Sequence, residues 1–301
     1  MAKFKEIYQS KLIPLEKMPD LLQSDTDVIV AQCASEPQGC MSVFHLAKER
    51  VRDVKVFSVL TLKPYEFYMK PEMKGHFELC SWFHAPGSRK ALKEKTGTVT
   101  YVPNMLHRAA SDRMKVRRPH MFVGTCTPPD DKGFVSLSLG ITYEKDILEV
   151  AEVVVLEVND KLPRTLGDTQ VHVSQVDYFV EYSQNPPTIP EPQPDEVAMK
   201  IGKHIADLIE DGSTIQLGIG EIPNAAALML RNKKDLGVHT EMMVDSMMEL
   251  YDMGVITNQK KSIHKGKFIC TFAMGSDRLY QWLDNNPAVE FLRGAYVNDP
   301  C

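Results

Sequence analysis

Cysteine is sparse and unpaired in this chain. Six occur in 301 residues, at Cys33, Cys40, Cys80, Cys126, Cys270 and Cys301, and none forms a C-x-x-C pair. That spacing argues against a zinc ribbon or a dithiol redox motif. The opening segment 1–12 carries charges throughout and has no apolar core of a signal peptide. The thiols are therefore expected to be reduced and buried, and the expected compartment is the cytoplasm. No apolar run approaches the roughly 20 residues of a membrane-spanning helix, so no membrane association is expected. An excess of positive charge is also missing: 35 Lys and Arg stand against 40 Asp and Glu, net −5. A nucleic-acid partner, which calls for a basic face, is not expected. The chain lacks a Gly-x-Ser-x-Gly elbow, a P-loop and any H-x-x-x-H pair. These absences count against a serine hydrolase, an NTPase and a helical zinc site, and no metal is expected. Internal repeats and low-complexity tracts are absent too.

What the chain does contain is the balance of a globular α/β protein, with 43% hydrophobic and 25% charged residues. Short apolar runs at 28–31, 54–60, 122–126 and 153–158 read as strands buried on both faces. An amphipathic stretch at 41–53 reads as a helix between the first two. The alternation predicts an α/β fold with a largely parallel sheet. From 183 to 194 five prolines occur, Pro186, Pro187, Pro190, Pro192 and Pro194. Proline fixes φ and disfavours helix at the residue before it. This stretch is read as an extended linker between two domains, 1–188 and 189–301.

A second α/β pattern begins just after it. Asp195 can cap a helix with Val197, Ile201, Ile205 and Leu208 at helical spacing, stopped by Gly212. A strand at 213–217, a tight turn at 218–223, a helix from 224 to 231, a strand at 237–242 and an amphipathic Met-rich stretch at 245–251 follow. Glycines at 218 and 220 let a backbone approach a ligand closely, and the helix beyond offers free N–H groups to an anion. The spacing is Gly-x-Gly-x-x-Pro, so the third glycine of a dinucleotide fingerprint is replaced by Pro223. On its own the turn also reads as a plain βα connection. Glu241, at the end of an apolar strand in the next βα unit, shares the carboxyl edge with that turn, where ligands gather in open parallel sheets. A lone glutamate there also reads as a rim group or a helix cap. Basic clusters at Arg89, Lys90, Lys93 and Lys95, and at Arg113, Lys115, Arg117 and Arg118, read as solvated faces that an anionic ligand could use.

Several phrases become specific when taken together. They are Glu6-Ile-Tyr-Gln-Ser-Lys-Leu12, Thr127-Pro-Pro-Asp-Asp-Lys-Gly133, Asn159-Asp-Lys-Leu-Pro-Arg164 and His172-Val-Ser-Gln-Val-Asp-Tyr178. Gly218-Ile-Gly-Glu-Ile-Pro-Asn224, Leu236-Gly-Val-His-Thr-Glu241 and Arg293-Gly-Ala-Tyr-Val-Asn-Asp-Pro300 complete the set. In this order the chain resembles the acetyl-CoA hydrolase/transferase family, most closely its 4-hydroxybutyrate and butyrate CoA-transferase members. The resemblance implies two related open α/β domains with the active site between them. It implies that Glu241 is the nucleophile and that Gln216, Leu217, Gly218, Ile219 and Gly220 bind CoA. An unperturbed glutamate titrates near about 4.3, so it is charged at neutral pH and needs no general base. Implied substrates are a short-chain acyl-CoA and a carboxylic acid, with no cofactor beyond CoA itself as co-substrate, and a homo-oligomer is expected. Family members run on past Asn-Asp-Pro, whereas this sequence ends at Cys301. The resemblance therefore implies a second domain lacking a further glycine-rich segment. The competing readings are an inactive fragment that binds CoA or a partner chain, an acyl-CoA hydrolase, and an isomerase using Glu241 as a base.

Overall fold

The computed structural model describes residues 2–190 and 193–300. The chain divides into two compact units, one of Met1–Leu162 with Thr169–Pro187 and the other of Pro163–Asp168 with Thr188–Cys301. Of the proline-rich stretch, Glu191 and Pro192 lie outside the described residues.

Among the described residues the first unit is built on nine strands. They are β1 (Asp27–Val30), β2 (Val54–Ser58), β3 (Phe77–Ser81), β4 (Val99–Tyr101), β5 (Met121–Cys126), β6 (Phe134–Ser136), β7 (Val153–Val158), β8 (Gln170–His172) and β9 (Tyr178–Glu181). Seven make one sheet in the order β4-β3-β2-β1-β5-β7-β9, every pair parallel. The parallel-sheet α/β class read from the sequence is what the chain adopts. Alternate residues along each strand point to opposite faces. Val28, Val30, Val54, Val56, Met121 and Val123 enter one apolar core, while Ile29, Phe57, Phe122 and Leu156 enter another. Both faces are thus covered, which is why these strands read as unbroken apolar runs. Strands β6 and β8 pair antiparallel as a separate ribbon.

One expected element does not form. The stretch 41–53 is a short helix, Gln38–Ser42, and a 3-10 turn, Phe44–Ala47, rather than one helix. The Ser42 hydroxyl donates to the Gly39 carbonyl at 2.6 Å. Such local bonding competes with helix propagation, and the β-branched Val43 follows immediately.

The second unit contains β10 (Thr214–Ile215), β11 (Gly237–Val238), β12 (Met242–Met243), β13 (Phe268–Cys270), β14 (Phe272–Ala273) and β15 (Val289–Phe291). The pairs β10–β11, β12–β14 and β13–β15 are parallel, and a parallel bridge between His239 and Ile269 joins β11 to β13. The strand expected at 213–217 is limited to β10. The helix expected from 224 starts earlier, as Glu221–Met229. The Asn224 N–H donates to the Gly220 carbonyl, so Pro223 falls in the first turn, where its missing N–H costs nothing.

The helix Glu196–Leu208 forms as expected, with the Asp195 carboxylate accepting from the Ala198 N–H at 2.7 Å. Its buried face is not the apolar stripe at 197, 201, 205 and 208, of which Ile205 is half-buried and the other three are exposed. Ala198, Gly202 and Ala206 are buried instead, against Ala225, Ala226 and Ala227 of the helix Glu221–Met229. A Cβ on Gly202 would lie 2.6 Å from the Ala225 carbonyl carbon. Small residues let the two helix backbones approach this closely.

Gly202→Ala should therefore lower the stability of the second unit. Overpacking costs about 1–3 kcal/mol and the gain in helix propensity offsets about 1 kcal/mol. The expected net loss, up to about 2 kcal/mol, is read as a lower urea midpoint. Gly218→Ala, whose new Cβ meets nothing within 4 Å, is the comparison that should leave the midpoint unchanged.

Candidate active site

Strands β10 and β11 are neighbours, and the His239 N–H donates to the Ile215 carbonyl at 3.2 Å. Their carboxyl ends therefore lead side by side into the turn 216–220 and into Thr240-Glu241. In a parallel sheet this is the edge where ligands bind.

The strand expected at 237–242 is interrupted at Thr240 and Glu241, between β11 and β12. Opposite the break, Thr271 separates β13 from β14. The Thr271 and Phe272 N–H groups, at 3.0 and 3.2 Å, both donate to the Glu241 carbonyl. Both strands break at the same level, and the register is the same on either side, from His239↔Ile269 to Met242↔Phe272. Thr240 is buried, and its hydroxyl donates to the Met242 carbonyl at 3.1 Å. Glu241 is left half-buried at the carboxyl edge.

One carboxylate oxygen of Glu241 is held. The Asn298 side-chain amide donates to Oε2 at 2.5 Å. Asn298 follows the short helix Gly294–Val297, and its own Oδ1 is buried with no partner among the described residues. Asn298 lies within the phrase Arg293-Gly-Ala-Tyr-Val-Asn-Asp-Pro300, whose pattern assigns it no role. The signal available was an amide two residues before Pro300, and nothing in its spacing ties it to Glu241.

Two residues before Glu241 and two before Asn298, His239 and Tyr296 belong to a polar and aromatic cluster. His264 and Tyr296 share a hydrogen bond at 2.8 Å, and His239 packs near the Tyr296 ring. Burial lowers the His239 pKa, as do the charges of Lys261 and His264. Lys261 is buried. Its ammonium donates to the carbonyls of Val238 at 2.7 Å and Lys267 at 2.6 Å. Burial pulls its pKa down to about 8, with Glu290 acting against the shift. Lys261 thus ties the loop after the helix Asp245–Asp252 to the strand that carries Glu241.

The glycine turn has the open geometry that a ligand needs. A Cβ on Gly218 would meet nothing within 4 Å. Gly220 sits at φ 127°, a conformation that side chains rarely adopt. Gly218, Ile219 and Gly220 line a cavity of about 340 Å³ with Ile189, Asn224 and Asp245. Gln216 is exposed and Leu217 half-buried, and neither lines that cavity. Glu241 is not in its wall either, but Val244, Asp245 and Ser246, three to five residues further on, are. Among the described residues no group of three or more His, Cys, Asp or Glu side chains is placed to hold a metal ion.

A second set of carboxyls went unremarked in the sequence. Glu36, Glu144 and Glu157 are fully buried in the first unit. Glu157 lies in β7, a charged residue within Val-Val-Val-Leu-Glu-Val, and that was the available signal. Its Oε2 accepts from the Cys40 N–H at 2.8 Å. Glu36 accepts from the Leu62 N–H at 3.1 Å, and the Gln32 N–H lies 3.3 Å from Glu144. Burial pushes Glu36 up to about 8, and Glu144 and Glu157 up to about 7.

Comparison with known proteins then adds what geometry cannot. The model of the acetyl-CoA hydrolase/transferase N-terminal domain matches residues 1–190. The 4-hydroxybutyrate coenzyme A transferase of Clostridium kluyveri is 37% identical over 298 residues, covering 99% of this chain and 69% of that one. The butyryl-CoA:acetate CoA-transferase of Anaerostipes caccae is 30% identical over 305 residues, covering 98% of this chain and 68% of its own. Among solved structures, RipA from Yersinia pestis superposes with a TM-score of 0.92 at 29% identity, covering 99% of this chain and 71% of RipA.

Lys261 gives this site a pH signature. Its folded pKa, about 8, lies below the ordinary lysine value of 10.5. The folded state therefore binds this proton less tightly than the unfolded chain does. The resulting cost to stability is fully present below pH 8 and disappears as pH rises toward 10.5. Lys261→Met keeps the length and removes the charge. It should lose about 1–3 kcal/mol at pH 7, because two buried carbonyls lose their donor. The difference in melting temperature between the native chain and this variant should widen from pH 8 to 10. A constant difference would remove Lys261 as the origin.

Proposed function

Because the chain belongs to the acetyl-CoA hydrolase/transferase family, we propose that it moves CoA between a short-chain acyl-CoA and a carboxylic acid through a covalent intermediate on Glu241. The acyl groups proposed are 4-hydroxybutyryl, butyryl and acetyl. The observation that carries this reading is the placement of Glu241. It stands in the break between β11 and β12, with Oε2 held by Asn298, and β11 is the neighbour of the strand that leads into the open glycine turn.

With Oε2 occupied, Oε1 is the oxygen left to attack. It adds to the acyl thioester carbonyl, the C–S bond breaks, and CoA leaves as the thiolate from a mixed anhydride. The thiolate attacks the glutamyl carbonyl, the anhydride C–O bond breaks, and the free carboxylate departs. Glu241 then carries CoA as a thioester. A second carboxylate attacks this thioester and expels the thiolate, and the thiolate takes the new acyl group, restoring Glu241. Every step balances without a proton donor, a metal or a redox group, and the scheme is ping-pong. Backbone N–H groups of the glycine turn 216–220 are proposed to hold CoA, whose long handle supplies binding energy remote from the reacting carbon. Release of the glutamyl thioester to water instead of an acid would make the same site a hydrolase.

The test is CoA transfer from butyryl-CoA to acetate, read with the mass of the protein during turnover. A CoA adduct on the peptide containing Glu241, removed by hydroxylamine, is expected. Glu241→Gln keeps the size but loses the nucleophilic oxygen, so adduct and transfer should both vanish. Glu241→Asp withdraws the oxygen by roughly 1 Å and should be slower on the order of a hundredfold. Normal transfer with Gln at 241 would falsify the assignment. Gly218→Val should raise the Kd for CoA with the fold intact, since it fills the space left open at the turn. An unchanged Kd would make the turn structural only.

A further inference from the structure

Between β7 and β8 the chain lends a short segment, Pro163–Asp168, to the second unit. There the segment lies as a strap along β15. The Phe291 N–H donates to the Leu166 carbonyl at 2.9 Å, and the Asp168 N–H donates to the Phe291 carbonyl at 2.9 Å. The other neighbour, β13, is bonded through the residues on either side: the Phe268 N–H donates to the Ala288 carbonyl, and the Leu292 N–H donates to the Cys270 carbonyl. Strand groups alternate in direction, so the strap occupies the edge of β15 that β13 leaves free.

The strap is pinned at its start as well. The Arg164 N–H donates to the Asp284 carboxylate at 2.7 Å, and the Arg164 carbonyl accepts from the Asn285 N–H at 2.8 Å. Gly167 makes the close approach possible. It sits at φ 103°, and a Cβ there would collide with the Phe291 backbone.

The last residue of the strap thereby carries a charge to a defined place. Asp168 Oδ2 accepts from Arg293 Nε at 2.6 Å, and both residues are half-buried. An ion pair this open to water adds little stability, so what it supplies is position. Arg293 is also the residue on which the next helix starts. Its carbonyl accepts from the Tyr296 and Val297 N–H groups at 2.9 and 3.0 Å, and the Asn298 N–H donates to the Gly294 carbonyl at 2.9 Å. Asn298, at the end of that helix, holds Glu241. A single turn has too few internal bonds to keep its own direction. Side chains on either side of it set the direction instead: Arg293 on Asp168, and the Tyr296 hydroxyl on His264 at 2.8 Å.

Taking Glu241 as the nucleophile, the reading on which this inference rests, we propose that Asp168 is a positioning residue for it. The strap fixes Asp168 on β15, and Asp168 fixes Arg293. The helix Gly294–Val297 then sets the Asn298 amide against Oε2 of Glu241.

The test is a double-mutant cycle on the purified chain, read without CoA. A water-soluble carbodiimide and an amine label reachable carboxylates, and tandem mass spectrometry gives the rate at Glu241. Asp168→Ala and Asn298→Ala should each raise that rate by a similar factor, on the order of tenfold for the loss of a hydrogen bond to a charged group. The double variant should be no faster than either. The exposed Glu196 is the reference and should label at one rate in every variant. Asp168→Glu keeps the charge and should bring the rate at Glu241 back toward the native value. Where Asp168→Ala does not fold, Asp168→Asn keeps the shape and carries the same cycle. In transfer from butyryl-CoA to acetate, Asp168→Ala should lower kcat by about tenfold to a hundredfold and leave KM for the acyl-CoA unchanged. An unchanged labelling rate, two effects that multiply in the double variant, or a raised KM with kcat intact would each overturn the proposal. The labelling cycle uses no CoA, so its failure is separable from failure of the Glu241 assignment.

Discussion

The Glu241 carbonyl accepts two consecutive amides, those of Thr271 and Phe272, and the arrangement of the site follows from that double bond. A regular parallel ladder would carry β11 straight into β12, with side chains alternating between two covered faces. The ladder is instead interrupted at Thr240 and Glu241, and the register of His239↔Ile269 resumes at Met242↔Phe272. Thr240 is buried and Glu241 is brought to the carboxyl edge, while Met243 returns to the core. The strand then ends in the helix Asp245–Asp252, whose first residue accepts from the Ser276 N–H at 2.9 Å. A carboxylate is thereby placed in a two-residue break between two strands, with Asn298 fixing one of its oxygens. Positioning of this kind is what a covalent mechanism requires, because displacement by a fraction of a side-chain bond costs rate steeply.

The sheet of the first unit was legible because it is buried on both faces. Val28, Val30, Val54, Val56, Val154 and Val155 left unbroken β-branched runs, and each of those runs became a strand. Short or interrupted elements were less legible. Only Thr214 and Ile215 of the stretch 213–217 are paired, since ladder bonds reach β10 from one side alone. The sequence reads as one continuous strand through Glu241, because the break depends on the opposing residues 271 and 272, thirty positions away. Glu241 and the glycine turn emerged from the resemblance more than from their local pattern. Asn298 and Lys261 did not emerge at all, since their partners, Glu241 and Val238, are 57 and 23 residues distant.

The helix Glu196–Leu208 shows a limit of a different kind. Its periodicity marked a helix correctly, but periodicity does not say which face is buried against what. The rule that the large apolar face turns inward assumes that the partner layer is present. Here Gly202 and the alanines pack so closely that the small face wins the available neighbour. Val197, Ile201 and Leu208 are left exposed among the described residues, while Ile205 of the same face is half-buried.

Comparing the carboxyls of the two units separates structural from chemical roles. Glu36, Glu144 and Glu157 are sealed in the first unit, and burial raises their pKa values to about 7 or 8. A carboxyl in that range is substantially protonated at neutral pH. It serves as a hydrogen-bonding group for the amides of Leu62, Gln32 and Cys40 and makes a poor nucleophile. Attack on a thioester needs an oxygen that is both anionic and reachable. Glu241 is half-buried rather than sealed, and one of its oxygens is bound by Asn298. The parallel-sheet framework hosts both kinds of carboxyl, so burial and hydrogen bonding, not residue type or fold, decide which one can act.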